Sequence, residues 1–333
     1  MTRTIITITG LLIMLSGSIF ATAGDKDYTG RDDVQAFIRN MVDSHGFDEK
    51  ALLAQFKRAE RLDDVLEKIA RPAERTLNWK QYQRIFLTEK RLRRGVEFMR
   101  EHRDLLQRAE KEFGVPAEVI TAIIGVETYY GRISGKTAVF DSLTTLGFDY
   151  PPRARFFRSE LEQLLLLARE EDVDVKTVRG SYAGAMGMPQ FISSSYRAYA
   201  IDFDGDGKRD LWNSTSDVIG SVANYFKVHG WQRGASVLHP VTSDVDREPG
   251  NNKLKPYKSV DEFGKEGVRI AAQVPGDADA TLLTFKGKDG IEHWLGLKNF
   301  YVITRYNHSS LYAMAVFHLS EQIREADSGL AQR

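Results

Sequence analysis

Residues 122–131 read AIIGVETYYG and place one ionisable group, Glu127, at the end of a run otherwise built for burial. Neighbours such as Ile123, Ile124 and Val126 strip water from a carboxyl, which disfavours its ionised form and moves its pKa upward. A carboxylic acid tuned in that direction donates protons near neutral pH, the work of a general acid. Two structural roles fit the same pattern: a carboxylate on the solvent face of an amphipathic helix, or an ion pair with Arg132. A second group of carboxylates stands in DFDGDGKRDLWN, residues 202–213. Asp202, Asp204 and Asp206 take positions 1, 3 and 5 of a calcium loop, Gly207 position 6, the Lys208 carbonyl position 7 and Asp210 position 9. Carboxylates this close repel unless a cation neutralises them. Position 12 holds Asn213 where a bidentate Glu is expected, and a plain Asp/Gly turn is the competing reading. With no second loop to pair with, the expected ion is structural rather than a signal, which leaves a calcium sensor or adaptor as a minor alternative.

Helices must position most of these groups. From 32 to about 108, charged and apolar residues interleave at three- and four-residue spacing. Pro72 ends one helix there, and residues 79–86 cross to the next. EFGVPAEVITAIIGVETYYG predicts a helix with Pro116 in its first turn and a stop at Gly131. Residues 155–171 form another amphipathic helix, and GSYAGAMGMPQF at 180–191 is a small-residue stretch entering a second buried element. Between about 234 and 298 short β-type runs, VRIAAQV and ATLLTF, flank a Lys288-Asp289-Gly290 turn that favours a hairpin. Helical patterning returns after Asn307, where Ser309 or Ser310 can cap LYAMAVFHLSEQIREA. The expected fold class is mainly α, of the α+β kind. Its parts are a helical domain at 24–110 to which about 140–175 contributes, a core at 111–233, a β-rich domain at 234–298 and a return to the core at 299–333.

The chain has 333 residues, 42% of them hydrophobic, enough for two or three domains. Forty-six basic residues balance 46 acidic ones, so bulk charge favours a neutral or zwitterionic ligand over nucleic acid. Arg3, the apolar stretch 5–20 and Ala21-Thr22-Ala23 fit a secretory signal, with cleavage expected after Ala23 and an exported, periplasmic, soluble product. An uncleaved anchor is the alternative. The chain contains no cysteine, which excludes a disulfide framework and an acylated N-terminal cysteine.

IIGVETYYG, FDSLTTLGFDYPPRARFF, GSYAGAMGMPQFISSSY, DFDGDGKRDLWN, IGSVANYFKVHGW and ITRYNHS, in this order over roughly 30–325, together resemble the membrane-bound lytic murein transglycosylase B family. The resemblance implies a lysozyme-like core with an additional helical domain and a small β domain, acting on the glycan strands of peptidoglycan. Glu127 stands where that family has its catalytic acid/base. Ser181, Gln190, Tyr225, Tyr306 and Asn307 match positions lining the glycan cleft, and Arg153 and Tyr82 match less firmly. Each has a structural reading as well: Ser181 as a turn cap, the tyrosines as core residues. The resemblance also suggests that Asp217 closes a longer calcium loop. No organic cofactor is expected.

Most glycosidases use two carboxylates, and Asp141 and Asp149, in expected loops, stay open as partners for Glu127. The resemblance implies that neither is needed, because the substrate's own 2-acetamido group and C6 hydroxyl take over. The expected function is cleavage of the MurNAc-β-1,4-GlcNAc bond with 1,6-anhydro ends. A hydrolytic muramidase and a non-catalytic peptidoglycan-binding scaffold are the alternatives.

Overall fold

The helix around Glu127 becomes a buried axis. In the computed structural model, which describes residues 27–70, 77–244, 247–250 and 252–331, this helix runs Ala117–Thr128 with Pro116 as its N-cap and nine of its 12 residues buried. A helix apolar all round has no face to offer water and must be surrounded by others. The apolar N-terminal stretch with its cleavage position, and Pro72, lie outside the described residues.

The chain divides into two compact units, 1–58 and 59–333. In the first, a 3-10 turn (Tyr28–Gly30) leads into α1 (Asp32–His45) and α2 (Glu49–Lys57). Gly46 ends α1 in the left-handed conformation and the Asp48 carboxylate caps α2. Phe37 and Phe56 meet edge to face at 5.9 Å between them.

The second unit opens with α3 (Asp63–Ala70), α4 (Trp79–Phe86), α5 (Glu89–Glu101) and α6 (Arg103–Phe113), followed by the axis, α7 (Ala117–Thr128). Then come β1 (Thr137–Ala138), α8 (Val139–Asp149), α9 (Ala154–Glu170), β2 (Arg179–Gly180), α10 (Ser193–Tyr199) and α11 (Thr215–Val228). The β region holds β3 (Leu238–Ser243), β4 (Lys258–Ser259), α12 (Val260–Lys265), β5 (Val268–Ile270), β6 (Asp279–Lys286) and β7 (Ile291–Gly296). The chain closes with α13 (Lys298–Tyr306) and α14 (Ser310–Ala331). Helices α5, α6, α11 and α14 all pack on α7. Residues 79–86, expected as a crossing, are a helix of their own, because Asn78 and Gln81 close a reciprocal capping box at its start.

The sheet is antiparallel with strand order β4-β6-β7-β3-β5, and β1 pairs with β2 separately. The hairpin between β6 and β7 turns at 287–290, where Gly290 has φ 138° and its carbonyl accepts the Gly287 N–H. Alternation along β6 sends Ala280 and Leu282 into a small apolar cluster with Val260, Phe263, Val268, Leu295 and Leu297. The opposite face carries Phe285, which meets Trp79 of α4 at 6.1 Å. Trp79 and Trp294 both pack on His318 of α14, whose imidazole burial pushes down to about 4 and so keeps neutral. The mainly helical α+β architecture with a small β part is therefore the observed one.

Candidate active site

Glu127 is the second-last residue of α7 and is half-buried. Thr128 after it is buried and donates its hydroxyl to the Met188 carbonyl (2.9 Å), while accepting the Gly131 N–H (3.1 Å). The helix stops at Thr128, earlier than Gly131, because Tyr129 (φ 53°) and Tyr130 (φ 60°) both enter the left-handed region. That conformation costs roughly 1–2 kcal/mol for each non-glycine residue. Gly131 (φ 77°) continues the turn against Met188, whose Sδ would stand 2.9 Å from a Cβ placed there. Glu127 is thus set at a tight exit held to the 180–191 segment.

A line of tyrosines faces the carboxyl. The Tyr312 hydroxyl, in the first turn of α14, donates to Glu127 Oε1 at 2.6 Å. Tyr306 of α13 lies nearly parallel to Tyr312, with centroids 6.4 Å apart and 9° between planes. Its hydroxyl donates to the Pro189 carbonyl (2.6 Å). Burial raises both phenols well above their ordinary range, and the negative charge of Glu127 adds to the shift. Tyr225 of α11 meets Tyr306 at 4.8 Å and donates to the Arg305 carbonyl (2.6 Å). Tyr82 of α4 stacks on Phe86 at 4.6 Å and adds to the field at Tyr312.

The 180–191 segment is a folded loop. Ser181 Oγ accepts the N–H groups of Ala183 (3.3 Å) and Ala185 (3.0 Å), so its hydroxyl caps the turn. Gln190 is left-handed (φ 53°) and its Nε2 donates to the Gly187 carbonyl (2.9 Å). Gly187 (φ 67°) lies so close to the Leu211 carbonyl that a Cβ would stand 2.4 Å from it. Asn307 follows α13 and lines a cavity of about 940 Å³ with Asn78, Asn252, Lys286 and His308. Arg153 is set apart: its guanidinium lies over Phe156 (4.3 Å) and Phe157 (5.1 Å) at the start of α9.

At the acidic loop, oxygens of Asp202, Asp204 and Asp217 lie within 4.8 Å of one another. Asp202 accepts the N–H groups of Gly205, Asp206 and Gly207, which wraps the loop around it. Gly205 and Gly207 supply the left-handed turns this wrapping needs. Asp217, 1% exposed, accepts the N–H groups of Phe203 and Asp210, both at 2.8 Å. Burial raises its pKa, and the charge of Asp204 raises it further. Asp206 is not one of these three; one of its oxygens accepts the Lys208 N–H (2.8 Å). A desolvated carboxylate held beside two others fits a hard, oxygen-preferring cation.

The family model for the transglycosylase SLT domain matches residues 29–321. The chain belongs to the transglycosylase SLT domain family. It is 41% identical over 323 residues to membrane-bound lytic murein transglycosylase B of Escherichia coli (strain K12), covering 94% of this chain and 88% of the relative. A catenated lytic transglycosylase of Pseudomonas aeruginosa superposes with a TM-score of 0.87 at 48% identity, over 90% of this chain and 100% of that one. An Escherichia coli lytic transglycosylase solved in complex with calcium gives 0.84 at 42%, over 91% and 96%. This chain is accordingly a peptidoglycan lytic transglycosylase, an enzyme with a lysozyme-like fold.

In this transglycosylase the two aspartates left open as partners for Glu127 have other work. Asp141 lies in the first turn of α8 rather than a loop, buried against Lys176 Nζ (2.6 Å) and accepting the Glu60 N–H (3.2 Å). Asp149 ends α8, 3.8 Å from Arg61 Nε. The group that sequence reasoning missed is Tyr312, 185 residues from Glu127. The available signal was Ser309, which caps α14 by accepting the Tyr312 N–H and so fixes that tyrosine in the first turn beside Tyr306 and Asn307.

Proposed function

We propose that Glu127 is the single acid/base of this lytic transglycosylase, and that it cleaves the MurNAc-β-1,4-GlcNAc bond to leave 1,6-anhydro-MurNAc ends. The observation that carries the reading is the Tyr312 bond to Glu127 Oε1 at the end of a buried helix. The protonated carboxyl gives its proton to the glycosidic oxygen, and the C1–O bond breaks as GlcNAc leaves with that proton. The 2-acetamido carbonyl oxygen of MurNAc closes on the cationic C1. The Glu127 carboxylate then takes the proton of the C6 hydroxyl while O6 bonds to C1 and the acetamido oxygen departs. No water enters the balance, and the enzyme regains its starting state. Tyr306 and the buried Tyr225, stacked against Tyr312 and His229, would back the sugar site from beneath, with Ser181, Gln190 and Asn307 toward its edges and Tyr82 behind Tyr312. Arg153 contributes at most to the periphery.

Borohydride treatment of the digestion products tests the reaction type. Anhydro ends carry no hemiacetal and take up no hydride, whereas a muramidase would leave reducible MurNAc. No cleavage at all, with glycan binding intact, would favour the scaffold reading.

We further propose that Asp202, Asp204 and Asp217 hold one structural calcium, with Asp206 and the Lys208 carbonyl completing the shell. The support is the desolvated Asp217 beside two like charges. The ion would stabilise the loop and takes no part in proton transfer.

Export to the periplasm follows from the substrate and from the signal pattern ending at Ala23. No helix among the described residues is long and apolar enough to cross a membrane. N-terminal sequencing of the protein from a Gram-negative host should read from Gly24 or close to it in the periplasmic fraction; an intact Met1 end in the membrane fraction would contradict this.

A further inference from the structure

Arg91 stands in the first turn of α5, yet its side chain serves two other helices. Its Nε–H donates to the Gly125 carbonyl (3.2 Å) in the last turn of α7, and Nη1 donates to the Ile85 carbonyl (2.5 Å) at the end of α4. The guanidinium lies over the rings of Phe86 (5.0 Å) and Tyr129 (5.3 Å). The contacts are returned: Tyr130 donates its hydroxyl to the Arg91 carbonyl (3.0 Å) and Tyr129 donates to the Lys90 carbonyl (3.4 Å).

This is an unusual use of a half-buried cation. Burial lowers its pKa, and the opposing influences are the two tyrosines, with no carboxylate among them. A guanidinium suits the place because its planar fork reaches two carbonyls while stacking on rings, which an ammonium cannot do. Consecutive left-handed residues persist only where the surroundings over-determine them. Arg91 touches both: it stacks on Tyr129 and accepts from Tyr130. It also binds the carbonyl of Gly125, the one that receives the Tyr129 N–H (3.2 Å). Gly125 leaves the room, since a Cβ there would stand 2.5 Å from Tyr130 Cζ. Glu127 lies between the clamped carbonyl and the clamped turn.

We propose that Arg91 is a positioning residue for the transglycosylase reaction: it fixes the last turn of α7 and thereby holds the Glu127 carboxyl against the Tyr312 hydroxyl. The inference rests on the assignment of Glu127 as the acid/base. A misplacement near 1 Å at a reacting group costs on the order of 10²-fold in rate.

The test compares Arg91→Lys and Arg91→Ala with wild type in kcat, KM and the pH profile of kcat on purified glycan strands, per folded molecule. Both variants are expected to lose about 10- to 100-fold in kcat with KM within about twofold. The acid limb of the pH profile should move, because the Tyr312 bond to the carboxyl is no longer held. A clamp with a purely structural role would lower the melting temperature and leave kcat and its pH profile at wild-type values, which would overturn the proposal. Should Arg91→Ala fail to fold, Arg91→Lys decides alone, and wild-type turnover in it counts against positioning. Glu127→Gln run in parallel separates the two claims. An active Glu127→Gln enzyme removes the acid/base assignment and the inference with it; an inactive one beside a fully active Arg91→Lys removes only the inference.

Discussion

Glu127→Gln is expected to lower turnover by about 10²- to 10⁴-fold, the range that general acid–base catalysis typically contributes. The amide is nearly isosteric, and its carbonyl oxygen can still accept from Tyr312, so the tight exit from α7 and the tyrosine line should survive. What disappears is an exchangeable proton for the leaving oxygen and a base for the C6 hydroxyl. Binding to glycan strands should stay close to wild type, so the loss falls on kcat rather than KM. Tyr312→Phe provides a graded companion. It removes one hydrogen bond to a charged group, worth roughly 1.5–3 kcal/mol, so about 10- to 100-fold in rate. If the pair is ranked the other way, with the phenylalanine variant dead and the glutamine variant active, the carboxyl is serving structure and the tyrosine chemistry. Steady-state release of soluble products from purified sacculi measures both.

Asp217→Ala should be the most destabilising change in the acidic loop. It orphans the N–H groups of Phe203 and Asp210, at about 1–3 kcal/mol each when buried donors are left unpaired, and removes one of the proposed calcium ligands as well. Asp204→Ala removes a ligand but leaves those two bonds in place. For wild type, a calcium concentration one hundred times the dissociation constant adds about 2.7 kcal/mol by mass action. Thermal melts in chelator and in excess calcium should therefore differ for wild type and coincide for both variants, with Asp217→Ala lowest throughout. A wild-type melting temperature indifferent to calcium would sink the ion assignment. The pH dependence of turnover should be untouched by Asp204→Ala, since the ion serves the loop.

Local chemistry made part of this molecule legible in its sequence. Glu127 stood out because a single carboxylate ended an apolar run, and the structure keeps that run as the buried axis α7. The Asp202–Asp204 spacing and Gly290 were legible for the same reason: a turn or a ligand loop is written within a few consecutive residues. The box formed by Asn78 and Gln81 was equally local, and reading it would have found α4. Other features depend on distant partners. Tyr312 reaches Glu127 only through the packing of α14 on α7, and no local rule announces a contact 185 residues away. The left-handed Tyr129 and Tyr130 go against local preference, which points to Gly131 as the stop; they are held by Arg91, Thr128 and the 180–191 segment. Asp141 was open as a catalytic partner until its pairing with Lys176, 35 residues on, showed it tied into the fold. Ser181 shows the limit from the other side. Its hydroxyl caps a turn, as local rules allow, whereas the glycan-lining role came only from the family resemblance and is written in no local rule.

The central claim is that one carboxyl completes the reaction and that an internal hydroxyl, not water, captures C1. Digestion of purified peptidoglycan in ¹⁸O-labelled water, followed by mass spectrometry of the released muropeptides, tests it most directly. Products lighter by one water than the corresponding hydrolysis products and free of ¹⁸O at the MurNAc end are expected from wild type and should be nearly absent with Glu127→Gln. MurNAc ends carrying one ¹⁸O would contradict it, because solvent would then have taken the place assigned to the C6 hydroxyl.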